Sequence, residues 1–137
     1  MSWRVARLEE IPPDPLHGDP EWWRDWTDRT DIALRWHSVR QHFGISAFGV
    51  NAVAGDDGDQ LVVRHAERDY GGGEELYLVI RGRARFRCDG EEVELGPGEL
   101  LYVAPEVERE GDAAAPGTLL LAVGATPGKP YRHWADA

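Results

Sequence analysis

Turn-forming residues interrupt the chain at short intervals, and this spacing restricts the possible folds more than any other feature. Sixteen glycines and nine prolines are spread over 137 residues. The segments between them are short, apolar and rich in β-branched or aromatic residues, as is typical of strands joined by turns. Because a chain of this length can bury one core, the sequence predicts a single all-β sandwich or barrel.

Seven segments have the composition of strands. They are residues 45–53, 60–67, 74–80, 84–88, 91–95, 99–104 and 117–125. The strongest local signal lies between the fourth and fifth of them, where Asp89 and Gly90 separate two alternating runs. An Asp-Gly pair in this setting is typical of a two-residue hairpin turn. We therefore predict a hairpin over residues 83–95.

The N-terminal region has a different pattern. In HGDPEWWRDWTDRT, Asp19 can cap a short helix that has Pro20 at its first position. Such a helix would place its tryptophans, which are Trp22, Trp23 and Trp26, on one face. We expect residues 1–35 to form a Trp-rich extension, helical or irregular, that packs on a barrel domain over residues 36–137. The indole rings would cover an open end of the core, or alternatively form a lid or a dimer contact.

The charge balance and the single cysteine limit the possible partners and compartments. The formal charge of -10 repels phosphate backbones and anionic headgroups, so neither nucleic acid nor a membrane is expected as a partner. Cys88 has no second cysteine to pair with, and its phase with Ala84 and Phe86 predicts a small core residue. No apolar run approaches the roughly 20 residues of a membrane span, and the first residues lack a signal-peptide pattern. We therefore expect a cytoplasmic protein.

Two stretches resemble the motifs of the cupin family. In the first, Glu75 is followed by LYLVIR and Gly82, which matches the glutamate-to-glycine half of the family's first motif. In the second, Gly90 is followed by EEVEL, a GPG turn and ELLYVAP, in the outline of the family's second motif. The resemblance runs from Gly58 to Arg109. It implies a double-stranded β-helix, a barrel of the jelly-roll type, to which the residue pattern adds the short helical or irregular segment at the N-terminus.

The same resemblance implies a metal site that this sequence does not complete. The usual cupin site presents three histidines and one glutamate to a divalent ion. Here no histidine lies between Cys88 and Arg132, and the stretch where the second motif would supply one reads PEVEREG. In the first motif His65 is present, but Glu67 stands two residues after it in place of a second histidine. We therefore expect no metal cofactor, with His65, Glu67 and Glu75 as residual ligands for Fe, Mn, Ni or Zn.

Alternation along the strands predicts a pocket inside the barrel. It puts Leu61, Val63, His65 and Glu67 on one face of their strand, and it puts Glu75 on one face of the next with Tyr77. We expect a ligand pocket lined by His65, Glu67, Glu75, Tyr77 and Tyr102, with Arg109 near its mouth. A buried Glu75 would be neutralised by an arginine, for which Arg81, Arg83 and Arg109 are the candidates.

Three functions remain open from the sequence. The leading hypothesis is a barrel that binds a small molecule without a metal, with no catalytic residue assigned. The second is a metal-dependent dioxygenase or isomerase that uses the reduced set His65, Glu67 and Glu75. The third is a non-catalytic interaction protein that dimerises through its N-terminus. Because cupins often pair through their sheets and terminal segments, the resemblance implies a homodimer.

Two further groups have simpler interpretations. We interpret His37 and His42 as surface histidines beside arginines. We assign Arg83, Arg85 and Arg87 to an exposed strand face, balanced by the glutamates of EEVEL across the hairpin.

Overall fold

The structure, a computed structural model, describes residues 3–14 and 35–132, and within them the chain forms nine strands and one short α-helix. The strands are β1 (Arg35–His37), β2 (Gly49–Gly55), β3 (Gln60–His65), β4 (Glu74–Arg81), β5 (Ala84–Cys88), β6 (Glu91–Leu95), β7 (Leu100–Val103), β8 (Arg109–Ala113) and β9 (Thr118–Ala125). The helix is α1 (Val39–Phe43), and Leu8–Glu10 and Glu67–Tyr70 form 3-10 turns.

The strands form two antiparallel sheets around one core. The five-stranded sheet has the order β1-β2-β9-β4-β7, and the four-stranded sheet has the order β3-β8-β5-β6. Apolar side chains from both sheets pack together in a buried cluster that includes Val53, Leu61, Val79, Phe86 and Leu120. This architecture confirms the predicted all-β barrel of the jelly-roll type.

The predicted hairpin is present as strands β5 and β6. Ala84 pairs with Leu95 and Cys88 with Glu91. Asp89 and Gly90 have φ angles of 49° and 85°, the left-handed conformation that this hairpin turn requires at both central positions. The half-buried Cys88 packs against the core, as predicted, and burial raises the pKa of its thiol.

Strand β8 was missed by the sequence analysis, although it lies in the middle of the four-stranded sheet. Its sequence, REGDA, contains no β-branched or aromatic residue, so its composition did not indicate a strand. Hydrogen-bonded pairing with β3 on one side and β5 on the other holds this segment in the extended conformation. Along the strand Arg109, Gly111 and Ala113 are buried, whereas the residues between them are only half-buried.

The arginines of the β5 region pair in two directions. Arg83 and Arg85 lie near Glu94 and Glu92 of β6, with N–O distances of 2.9 and 3.8 Å, as the hairpin predicted. Arg87 instead contacts β8, where it lies 2.7 Å from Glu110 and 3.2 Å from Asp112.

Strand β3 is interrupted by two register shifts against β8. They fall between Gln60 and Val62 and between Val62 and His65. At each shift β3 contains one more residue than its partner, as in a β-bulge. Strict alternation therefore fails here: Leu61, Val62 and Val63 are all buried.

The first described residues pack against the edge of the barrel. The Asp14 amide donates to the Trp36 carbonyl at 2.8 Å, and Ile11 is buried. The ring Nδ1 of His37 lies 2.6 Å from the Ile11 carbonyl. The interpretation of His37 as a surface residue is therefore wrong, because the N-terminal segment covers its side chain. His42 lies in α1 and is exposed, as predicted.

The predicted helix with Asp19, Pro20 and the three tryptophans Trp22, Trp23 and Trp26 lies outside the described residues. That helix and the division at residue 35 stay predictions. No helix in residues 3–14 and 35–132 is long and apolar enough to cross a bilayer.

Candidate functional site

A cavity of about 120 Å³ lies between the two sheets. Apolar side chains form most of its wall, and they are Val53, Leu61, Val62, Val63, Leu120 and Ala122. Tyr70, Glu74 and Arg132 also line the cavity and are exposed, so they mark its mouth. The cavity thus combines an apolar wall with a polar region that solvent can reach.

Four of the predicted pocket residues meet at the polar end of this cavity. His65 is the last residue of β3, Glu67 begins the 3-10 turn after it, and Glu75 and Tyr77 extend inward from β4. Gly124 of β9 pairs with Glu75, and a Cβ atom at position 124 would lie 2.9 Å from the Glu74 carbonyl oxygen and 3.2 Å from the Glu75 Cγ atom. A glycine at position 124 therefore leaves room for the Glu75 side chain.

The Glu75 carboxylate receives several donors on one oxygen. The Tyr77 hydroxyl donates to Oε1 at 2.6 Å, and Nη1 of Arg109 donates to the same atom at 2.7 Å. Nε2 of His65 lies 3.5 Å from Glu75 Oε1 and 2.9 Å from Glu67 Oε1. The other ring nitrogen of His65, Nδ1, lies 2.6 Å from the Val63 carbonyl, which orients the ring toward the two carboxylates.

Arg109 is fully buried, so its predicted place near the mouth of the pocket is wrong. It reaches the interior because β8 turns positions 109, 111 and 113 inward. Its Nη2 atom donates to the Ala104 carbonyl at 2.8 Å, and Nη1 lies 3.8 Å from Glu67 Oε1. Of the three arginines considered as partners of Glu75, Arg109 is the one in contact, whereas Arg81 bonds to Gly117 and Arg83 to Glu94.

Tyr102 does not line the cavity. Along β7 the neighbouring Val103 is buried, so alternation turns Tyr102 to the outer face of the five-stranded sheet, where 56% of it is exposed. Its hydroxyl donates to Glu74 at 2.6 Å. The predicted pocket placement of Tyr102 is corrected for this reason.

The surroundings shift the pKa values of the clustered groups. Burial alone would lower the pKa of His65, but the hydrogen bonds to Glu67 and Glu75 and the charge of Glu75 outweigh it and raise this pKa to about 9. Burial would raise the pKa of Glu75, yet the pKa is lowered by His65, Tyr77 and Arg109. Burial and the charge of Glu75 raise the pKa of Tyr77 well above 10.0. At neutral pH His65 is therefore a cation, Glu75 an anion and Tyr77 a neutral phenol.

The cupin resemblance implies a divalent metal at this cluster. One ligand atom each from His65, Glu67 and Glu75 lies within 4.8 Å of the other two. However, Arg109 and Tyr77 already donate to Glu75 Oε1, and Nε2 of His65 is already within 2.9 Å of Glu67 Oε1. A divalent ion would lie close to the guanidinium charge and would have to displace the His65 proton. In this arrangement the residues do not fit a divalent metal.

Sequence reasoning missed the side of the cavity formed by β2, β9 and the C-terminal segment. Asn51, Leu120, Ala122 and Tyr131 all line it. Alternation in β2 places Asn51 on the same face as Val53, and this signal could have identified Asn51. No local pattern indicates Tyr131, which follows the last strand.

The profile of the cupin domain family matches residues 61–133. Among solved structures, a Cupin 2 conserved barrel domain protein from Salinispora arenicola is 15% identical, with a TM-score of 0.66 over 93% of this chain and 92% of that one. A predicted oxalate decarboxylase from Thermotoga maritima is 16% identical, with a TM-score of 0.65 over 90% and 99%. KdgF from Halomonas sp. is 19% identical, with a TM-score of 0.52 over 64% and 71%. At these identities the structures show the shared fold alone, and no curated protein matches the chain.

Proposed function

The chain belongs to the cupin family, and from this premise we propose that its barrel binds a compact organic molecule without a metal ion. The observation that carries the proposal is the cavity of about 120 Å³, which has apolar walls and a charge-paired polar end. Pockets for small ligands combine a mostly apolar lining with a few well-placed polar groups. A cavity of roughly 150 Å³ accommodates a benzene ring, so a single ring or a similar body is the appropriate size.

The polar end favours a ligand that donates hydrogen bonds. Among the described residues, the hydrogen bonds to Glu67 and Glu75 end on Oε1 of each carboxylate. Glu67 Oε2 lies 3.7 Å from where a Cβ atom would stand on Gly73, which lines the cavity. The cationic side chains His65 and Arg109 already face these carboxylates. A hydroxyl or ammonium group on the ligand would therefore bind better than a carboxylate.

This preference separates the chain from one of its structural neighbours. The Thermotoga maritima protein is described as a predicted oxalate decarboxylase, and oxalate is a dianion. Three carboxylates, those of Glu67, Glu74 and Glu75, line this cavity against two basic side chains, His65 and Arg132, so an anion would meet an excess of negative charge. Like charges in a poorly solvated site repel strongly. We therefore propose a neutral or cationic ligand.

Three probes of matched shape test the proposal. Benzyl alcohol, benzylamine and benzoate share one ring and differ in the polar group, and each is titrated into ¹⁵N-labelled protein at pH 7. Benzyl alcohol and benzylamine are expected to shift the amide signals of Gly73, Ala122 and Gly124, and benzoate is not. Ala122→Leu, which fills the cavity, should abolish these shifts. Benzoate binding in the cavity as tightly as the other two, or shifts confined to the surface, would overturn the proposal.

A charge-matched pair of variants identifies the polar contact. Glu67→Gln keeps the shape of the side chain and removes its charge, so it should weaken benzylamine binding more than benzyl alcohol binding. Glu106→Gln makes the same change at an exposed position outside the cavity and should leave both affinities unchanged. Equal effects of the two variants would show that general charge, and not Glu67, attracts the amine.

The second hypothesis, a metal-dependent enzyme, needs a divalent ion at His65, Glu67 and Glu75, which the arrangement of these residues does not fit. Elemental analysis of protein purified without chelators distinguishes the two candidates. Near-stoichiometric Fe, Mn, Ni or Zn that is lost in His65→Ala would favour the enzyme. A metal content well below stoichiometric that is equal in both proteins supports metal-independent binding.

A further inference from the structure

We infer that Arg109 is the resident cation of the cluster formed by His65, Glu67 and Glu75, and that it excludes divalent metals from this cluster, whose ligand set a single substitution would complete. The inference deepens the proposed metal independence and does not depend on the identity of the ligand. The residues found here differ from the family's usual metal ligands, which are three histidines and one glutamate.

The guanidinium occupies the place where positive charge is needed. Glu67 comes from the turn after β3, and Glu75 comes from β4 of the opposite sheet. Nη1 of Arg109 lies 3.8 Å from Oε1 of Glu67 and 2.7 Å from Oε1 of Glu75, so one cation bridges both sheets. A divalent ion shared by these two carboxylates would bridge the two sheets in the same way.

The guanidinium of Arg109 is held in place by its burial. A guanidinium is not deprotonated in proteins, and this one has no exposed side-chain surface through which it could move into water. A metal ion bound to Glu75 would lie within a few ångströms of Nη1. Coulomb repulsion at that distance lowers the metal affinity by roughly 100-fold or more.

Position 109 of β8 is placed so that a side chain introduced there could serve as a metal ligand. His65 and Arg109 are paired in register on β3 and β8. Both side chains lie on the inner face, and the His65 imidazole already reaches to 3.5 Å from Glu75 Oε1. An imidazole at position 109 would extend to a similar height above the sheet. Arg109→His would therefore complete a set of two imidazoles and two carboxylates, which suits Zn²⁺, Fe²⁺ or Mn²⁺.

Zn²⁺ titration of purified apoprotein by calorimetry tests the inference. Arg109→His is expected to bind one Zn²⁺ roughly 100-fold or more tightly than the unmodified chain. Arg109→Met removes the charge at similar length and adds no ligand, so its affinity should lie between the two. Because Arg109→Met preserves the packing, it provides the comparison if Arg109→His does not fold.

Gly73→His provides the matched control. A Cβ atom at Gly73 meets no atom closer than 3.7 Å, and the backbone there has no left-handed φ, so the side chain is accommodated beside Glu67. This variant adds an imidazole at the cavity and keeps Arg109, so it should bind Zn²⁺ no more tightly than the unmodified chain. A Zn²⁺ affinity of Gly73→His equal to that of Arg109→His would overturn the inference. So would Zn²⁺ binding by the unmodified chain as tight as that of Arg109→Met. Neither result would decide whether benzyl alcohol binds, so the ligand proposal is tested separately.

Discussion

At the scale of single residues, the function of His65 and Glu75 is decided by their partners. A histidine beside two carboxylates is a cation at neutral pH, and a carboxylate that receives bonds from Tyr77 and Arg109 is an anion despite its burial. Both charged states depend on the folded structure, because unfolding exposes each group to water and returns its pKa to the ordinary value.

The stability of the protein should therefore depend on pH through His65. The pKa is about 9 in the folded state and 6.5 in the unfolded state. This contribution is fully present below pH 6.5 and is lost as the pH rises through 9. At 1.36 kcal/mol per pKa unit, the free energy of unfolding should fall by about 3 kcal/mol over that interval. Urea denaturation at pH 6, 7.5 and 9 measures it.

His65→Gln is the control for this prediction. Glutamine preserves a donor toward Glu67 but does not titrate, so the variant should show a flatter profile between pH 6.5 and 9. Parallel profiles for the two proteins would assign the pH dependence to other groups. Glu75 acts in the opposite direction, since its lowered pKa stabilises the fold above pH 4.5 and this stabilisation is lost as the pH falls.

At the scale of the elements, β8 determines the architecture of the site. Its inward positions place Arg109 in the cluster, Gly111 against Phe86 and Ala113 in the core. Gly111 allows this close packing, because a Cβ atom there would lie 2.9 Å from the Phe86 ring. The Phe86 ring is fully buried, so it cannot move away toward solvent.

Gly111→Ala is accordingly expected to destabilise the protein. Overpacking a filled core costs about 1–3 kcal/mol, and here the added methyl group would press on an aromatic ring held between two sheets. Gly73→Ala is the matched control, since its new Cβ atom would meet nothing closer than 3.7 Å. Chemical denaturation of both variants measures the difference. A loss at Gly73 as large as that at Gly111 would show that backbone entropy, and not the Phe86 contact, causes the effect.

At the scale of the whole molecule, the outer face of the five-stranded sheet carries exposed apolar side chains. Leu76 and Ile80 of β4 and Leu100 and Tyr102 of β7 are each at least 40% exposed. Leu76 pairs with Tyr102 across the two strands, so these side chains form a continuous patch. Patches of this kind mark interaction surfaces, and a second copy of the chain is the partner that the cupin resemblance implies.

The homodimer thus stays a prediction, now with residues assigned to it. The protein should sediment at micromolar concentration with twice the mass of the chain, and Leu100→Lys should shift it to the monomer. Val5→Lys makes the same change at a position that is 84% exposed and lies outside the patch, and it should leave the dimer intact. A monomer for the unmodified chain, or an unaffected dimer in Leu100→Lys, would contradict the assignment.

Local patterns in the sequence determined the fold class, the β5–β6 hairpin and the inward direction of His65, Glu75 and Tyr77. Each of these depends on neighbours in the chain: the spacing of turns, an Asp-Gly pair, and alternation, which holds along β4 and gives the right direction for His65 although two bulges interrupt β3. Interactions between residues close together in the sequence were sufficient to predict them.

The tertiary structure alone decided the remainder of the site. REGDA becomes a strand because β3 and β5 pair with it, and that pairing, not its composition, turns Arg109 into the core. The phase of β7 turns Tyr102 outward, and a distant segment buries His37. A short strand of mixed composition has no strong preference for either face, so the partners that complete its hydrogen bonds set its phase. The cation that pairs with Glu75 was therefore visible in the sequence only as one arginine among many.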